Sequence, residues 1–172
     1  MLRPAHAALA LALLAGACGT DPPVWTPDAG PCVEYAVPMS EDLMAPSVSF
    51  KTDVMKVFDD NCGTSSCHGS QDNPTGSVFL GSSTANGSDS GTVLTSIVSI
   101  SSGELHSMNF VTPGDPSMSY LMHKLDGDQC VFEQSCTGGD CMHSMPSDSG
   151  VTLAVTTRDI VRRWIAQGAP NN

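Results

Sequence analysis

Apolar residues recur at helical spacing over residues 49–62, which predicts the first helix of the chain. Its apolar face consists of Phe50, Val54, Val57 and Phe58. Thr52 is the expected N-cap, and Asp53 follows in the first turn, where the helix dipole favours an acid. The predicted helix ends at Cys62, where a short polar loop begins.

Two further stretches predict helices in the middle of the chain. Residues 91–100 predict a short helix that frays into the serine-rich turn 99–102. Pro113-Gly114-Asp115-Pro116 predicts a turn and then a helix over 116–125, because proline is favoured at the first helical position. The apolar stripe of this helix consists of Met118, Leu121, Met122 and Leu125.

The last helix is predicted over residues 151–167, with Thr156 and Asp159 at the spacing of a capping box and Gly168 at its end. Its buried face consists of Ile160, Val161, Trp164 and Ile165. Residues 69–89 and 128–149 are polar and rich in turn formers, which indicates loops. The sequence therefore predicts a mainly α, loop-rich domain of three to four short helices, stabilised by disulfides.

The N-terminus predicts export. Residues 1–17 combine Arg3 with an apolar run from Ala7 to Leu14 that is too short to span a bilayer. The run ends Leu14-Ala15-Gly16-Ala17-Cys18, which resembles the lipobox of bacterial lipoproteins, so Cys18 is the predicted lipidation site. An ordinary secretory signal cut nearby is the alternative. Either signal exports the protein, and lipidation anchors it to the membrane on the periplasmic or cell-surface side.

Residues 18–46 are rich in proline and predict an extended tether, which Cys32 is expected to pin by a disulfide. The folded domain is predicted to occupy residues 47–172. The formal net charge of the whole chain is −11. So few basic residues argue against binding to nucleic acid, because phosphate binding depends on Lys and Arg.

The stretch Cys62-Gly63-Thr64-Ser65-Ser66-Cys67-His68-Gly69 carries the candidate chemistry. Two thiols can add across the vinyl groups of a haem, and the adjacent histidine can then ligate the iron. The usual spacing for this attachment is C-x-x-C-H, and here it is C-x4-C-H. The alternatives are a small Cys62–Cys67 disulfide loop, or a zinc site that would need His143 or Cys141 as fourth ligand.

The chain has seven cysteines. If Cys18 is lipidated and Cys62 and Cys67 bind haem, four remain, which allow two disulfides in three pairings. Those four are Cys32, Cys130, Cys136 and Cys141.

Several short motifs recur in an order that resembles a known family. They are Val48-Ser49-Phe50 with Asp53-Val54, Val57-Phe58-Asp59 with Asn61-Cys62, Cys67-His68-Gly69, Pro113-Gly114-Asp115-Pro116 with Ser119-Tyr120-Leu121, Lys124-Leu125 with Gly127, Met145-Pro146, and Ile160 with Trp164-Ile165 and Gly168-Ala169-Pro170. Over residues 48–170 this order resembles the small monohaem cytochrome c-like domains found in exported proteins of planctomycetes and myxobacteria.

The resemblance implies one covalent haem c per chain, attached through Cys62 and Cys67. It implies His68 as the proximal iron ligand and Met145 as the distal one. The rival distal ligands are Met142 and His143, and more remotely His106 and His123. The implied function is electron transfer between redox partner proteins, without catalysis. A haemless, disulfide-stabilised lipoprotein with a binding or structural role is the alternative.

Overall fold

The structure is a computed structural model that describes residues 31–85, 87–147 and 152–172. A π-helical turn, Phe50–Val54, leads into helix α1 (Met55–Asn61). It is followed by α2 (Ser90–Ile97), α3 (Tyr120–Asp126) and α4 (Val155–Ala166). Shorter 3-10 turns lie at Thr75–Ser77, Pro116–Met118, Gln129–Ser135 and Thr137–Gly139.

The described segments contain isolated β-bridges, such as Val98 with Val111, and no strands. The prediction of a mainly α, disulfide-stabilised chain is confirmed. Across those same segments, no helix has the length and apolar character needed to cross a membrane. The predicted signal peptide and Cys18 lie outside the described residues.

The N-cap of the first helical segment lies three residues earlier than predicted. Ser49, not Thr52, occupies the N-cap, and its hydroxyl accepts a hydrogen bond from the Thr52 amide at 3.3 Å. The Asp53 carboxylate accepts one from the Ser49 amide at 2.8 Å, so the two side chains cap the turn reciprocally. All four residues of the predicted apolar face are buried.

The third helix is interrupted at Ser119. Pro116 begins a 3-10 turn, Pro116–Met118, and Asp115 caps it through a carboxylate that accepts a hydrogen bond from the Met118 amide at 3.1 Å. Ser119 is extended, and its hydroxyl donates to the Asp115 carbonyl at 2.8 Å. Because this break separates the turn from α3, Met118 does not join the apolar stripe and is 47% exposed.

Helix α4 ends as predicted but begins differently. Gly168 has a φ of 96°, the left-handed conformation that suits glycine at a helix end. The predicted capping box is wrong, because Ala154 is the N-cap residue and Asp159 accepts instead from Arg162 at 3.0 Å. Trp164 is fully buried and stacks on Phe50 with ring centroids 4.8 Å apart, which joins the first and last helical segments through the core.

A buried ion cluster joins α3 to α4. Asp126 is the last residue of α3, and its carboxylate accepts two hydrogen bonds from Arg162, of 2.8 and 3.0 Å. The same carboxylate accepts a hydrogen bond from Arg158. All three side chains are at most 6% exposed. The ring of Tyr35 lies 4.8 and 4.9 Å from the two guanidinium groups, within the range of cation–π attraction.

Tyr35 belongs to the C-terminal part of the predicted tether, which is fastened to the helices. Cys32 forms a disulfide with Cys130, as expected of a pinned tether. The Tyr35 amide donates to Asp128 at 2.6 Å, and Glu41 pairs with Arg163. Most side chains of residues 31–46 are exposed, so the segment is a surface strap rather than part of the core.

The second disulfide, Cys136–Cys141, closes a short loop, so the cysteine pairing left open by the sequence is 32–130 and 136–141.

The two disulfides should differ in their effect on stability. Cys32–Cys130 spans 98 residues of sequence, for which loop closure predicts about 4.7 kcal/mol. Cys136–Cys141 spans 5 residues, for which the same relation predicts about 2 kcal/mol. Replacing each pair by alanine and measuring urea unfolding should show the larger loss for the Cys32/Cys130 variant. An equal or larger loss for the Cys136/Cys141 variant would show that loop closure does not govern their contributions.

Candidate functional site

A cavity of about 280 Å³ lies beside the C-terminal end of α1. Its volume is near the lower end of the range for small-molecule sites. All four predicted site residues of the domain, Cys62, Cys67, His68 and Met145, line it. The rivals Met142 and His143 also line it. Much of the remaining wall is apolar and consists of Val78, Leu80, Phe110, Leu121, Leu125 and Pro146.

The loop between the two cysteines is closed by backbone hydrogen bonds. The His68 amide donates to the Cys62 carbonyl at 3.1 Å, and the Cys67 amide donates to the Thr64 carbonyl at 3.0 Å. Gly69 lies so close to this loop that a Cβ on it would come within 2.0 Å of the Gly63 carbonyl oxygen. Only glycine fits there, so the closed loop explains the residue that follows the histidine.

The two cysteines of this loop have different environments. Cys62 is buried with a free thiol, and burial raises its pKa to about 12. The alternative prediction of a Cys62–Cys67 disulfide is therefore wrong. Cys67 is itself disulfide-bonded, so a thioether bond at its sulfur requires reduction first.

The His68 ring is oriented by a hydrogen bond with the backbone: its Nδ1 atom lies 2.9 Å from the Val78 carbonyl oxygen. A proton on Nδ1 leaves the Nε2 lone pair as the ligating position, which is the usual arrangement of a metal-bound histidine. Burial lowers the pKa of His68, and hydrogen bonds with the backbone of Val78 and Thr75 oppose this shift. The ring is therefore neutral at neutral pH, the form that binds a metal.

Met145 is held through its backbone and packs against the main core. Its amide donates to the carbonyl of Lys124 at 2.8 Å, which ties the Met145-Pro146 segment to α3. Its side chain is half-buried, whereas Met142 is 47% exposed. Of the two more remote rivals, His106 is exposed and lies outside the cavity.

The other remote rival, His123, is engaged at both ring nitrogens. Nδ1 lies 2.8 Å from Asp128, and Nε2 lies 3.0 Å from the Ser117 carbonyl oxygen. His123 is 4% exposed, so it is a buried structural residue. Three distal candidates remain at the cavity: Met142, His143 and Met145.

A polar cluster at the cavity wall was missed by the sequence reasoning. Lys124 Nζ donates to Glu104 Oε2 at 2.7 Å and to the Cys141 carbonyl at 2.8 Å. The Tyr120 hydroxyl donates to the same Glu104 oxygen at 2.7 Å. One signal was available, because Lys124 is a charged residue among the apolar positions of α3. Glu104 lies in a loop and gave no signal.

The donor set and the wall fit a haem better than a zinc ion. A thioether, a neutral imidazole and apolar walls are the groups that c-type haem ligation uses. Within the described ranges, no three His, Cys, Asp or Glu side chains converge as a ligand group, so the zinc hypothesis gains no support. Comparison of the chain with protein-family models, with curated proteins and with solved structures finds no match.

The two buried histidines should titrate on opposite sides of the ordinary histidine pKa of about 6.5. Burial lowers the pKa of His68. For His123, burial acts in the same direction, but hydrogen bonds with Asp128 and the Ser117 backbone, together with the negative charges of Asp128 and Glu34, outweigh it and raise the pKa. NMR titration of the imidazole C–H resonances, assigned with His68→Gln and His123→Gln, should separate them.

The two shifts have opposite consequences for stability. The lowered folded-state pKa of His68 costs stability as the pH falls below about 6.5, because the unfolded chain then binds the proton more readily. The raised pKa of His123 contributes stability below about 6.5, and this is lost as the pH rises through the folded-state value. A His68 resonance that titrates above that of His123 would contradict both assignments.

Proposed function

We propose that the chain is an exported, lipid-anchored, monohaem cytochrome c-like electron-transfer protein. The observation that supports this most is the convergence of Cys62, Cys67, His68 and Met145 on one cavity. Motifs in the sequence mark these residues, and Met145 lies far along the chain from the stretch that holds the other three. Haem, when bound, supplies a one-electron couple, and the protein supplies its ligands and excludes water.

In this proposal His68 is the proximal ligand, oriented by Val78, and Met145 is the distal ligand. A thioether ligand raises the reduction potential relative to a second histidine. Each cysteine thiol would add across a vinyl group, with the sulfur bonded to one carbon and the hydrogen to the other. Cys67 is disulfide-bonded, so a thiol reductant must first supply two electrons to that bond and release the Cys67 thiol.

The alternative is a haemless, disulfide-stabilised lipoprotein with a binding or structural role. The disulfide state of Cys67 favours it, because one sulfur cannot hold a disulfide and a thioether bond together. The cavity would then take a smaller apolar ligand.

Covalent haem separates the two candidates. The full chain, exported in cells that carry a cytochrome c maturation system, should gain the mass of one haem and show a Soret band. Cys62→Ser and Cys67→Ser each remove one thioether, and the double variant should lose covalent attachment while other exported cytochromes in the same cells mature normally. A colourless wild-type protein with no haem mass would exclude the cytochrome function.

The distal ligand is tested by reduction potential. Met145→His should lower the potential of the haem-loaded protein, because imidazole replaces a thioether. Met142→Ala and His143→Ala are the matched controls and should leave it near the wild-type value, as measured by redox titration. A large shift for either control with none for Met145→His would assign the distal position to that residue instead.

A further inference from the structure

Lys124 is the one lysine or arginine among the described residues that line the cavity. It lies on α3 beside Leu121 and Leu125, and it is 4% exposed. A buried ammonium is costly unless it is paired. Glu104 supplies the pairing charge, and the Cys141 carbonyl supplies a second acceptor.

The hydrogen-bond donors of this cluster, Lys124 and Tyr120, are more deeply buried than the acceptor, Glu104. The Lys124 side chain is 5% exposed and that of Glu104 is 30% exposed. Tyr120 is 1% exposed, and its hydroxyl oxygen also lies 3.2 Å from the Cys141 carbonyl oxygen. Two buried donors of α3 therefore converge on one carboxylate oxygen, which reaches them from a loop that is open to solvent.

We propose that Lys124 and Tyr120 form a carboxylate-binding subsite of the cavity, which the Glu104 carboxylate occupies until a propionate group of a porphyrin replaces it. This subsite rests on the proposed function. The exchange replaces one carboxylate with another, so Lys124 is never left buried and unpaired. Glu104, which is partly exposed, can regain water when it leaves. Lys124 and Tyr120 would then hold a propionate of the ligand, and His68 and Met145 would hold its iron.

Non-covalent binding tests the subsite without thiol chemistry. The purified full chain is titrated with ferric protoporphyrin IX and, separately, with its dimethyl ester, which lacks both carboxylates. Binding is followed by the Soret absorbance. The wild-type chain should prefer the free acid, and the ratio of the two dissociation constants within one variant cancels general effects on folding.

The variants should change that ratio in opposite directions. Lys124→Gln should weaken binding of the free acid by roughly ten- to a hundredfold, the range expected for a lost charge-assisted hydrogen bond, and leave binding of the ester nearly unchanged. Glu104→Gln should tighten binding of the free acid, because the competing carboxylate is gone. Lys56→Gln and Glu34→Gln, at exposed positions, make the same charge changes and should alter neither.

The outcomes separate the subsite from the proposed function. If the wild-type chain binds neither porphyrin, the proposed function and the subsite both fail. A second outcome is that the wild-type chain binds both porphyrins equally, with binding lost in His68→Gln and unchanged in Lys124→Gln. That result would support haem binding and exclude the subsite. If Glu104→Gln weakens free-acid binding as much as Lys124→Gln does, Glu104 is a structural partner of Lys124, and its carboxylate does not compete with the ligand for the subsite.

Discussion

The rest of the structure depends on the buried ion pairs that the Asp126 carboxylate forms with Arg158 and Arg162. Asp126 ends α3 and binds two guanidinium groups of α4, and the Tyr35 ring covers the pair. Removing the carboxylate would take the shared partner from two buried cations and leave Arg162 paired with Asp159 alone, and breaking a buried ion pair in this way is strongly destabilising. Because α3 also carries Tyr120 and Lys124, the cluster fixes the cavity wall as well as the helix packing.

The elements with strong periodicity could be predicted from the sequence, because their apolar faces coincide with the core. Phe50, Val54 and Phe58 are buried as expected, and Gly168 ends α4. The misses concern local hydrogen bonds. Ser49 is the N-cap instead of Thr52, and Asp159 accepts a hydrogen bond from Arg162 instead of capping its helix. The choice of hydrogen-bond partner depends on neighbours that are distant in sequence or on small differences in backbone angle.

The candidate site likewise has residues that the sequence predicts and contacts that it does not. Cys62, Cys67, His68 and Met145 could be found because motifs mark them, and the structure brings them to one cavity. The pairing of Lys124 with Glu104 could not be found, because 20 residues and an irregular loop separate the two. Its physical signal was indirect: an ammonium on the buried side of a helix requires a partner, but the sequence does not say which loop supplies it.

The Cys32–Cys130 disulfide has a mechanical consequence. A pulling force that reaches residue 32 from its N-terminal side passes through a covalent bond into the 129–135 turn. The backbone of residues 33–46 is then bypassed, and the hydrogen bonds and ion pairs that hold it carry little of the load. On a chain fastened to a surface, tension would therefore be borne beside the end of α3, while the contacts of the strap with α4 stay unloaded.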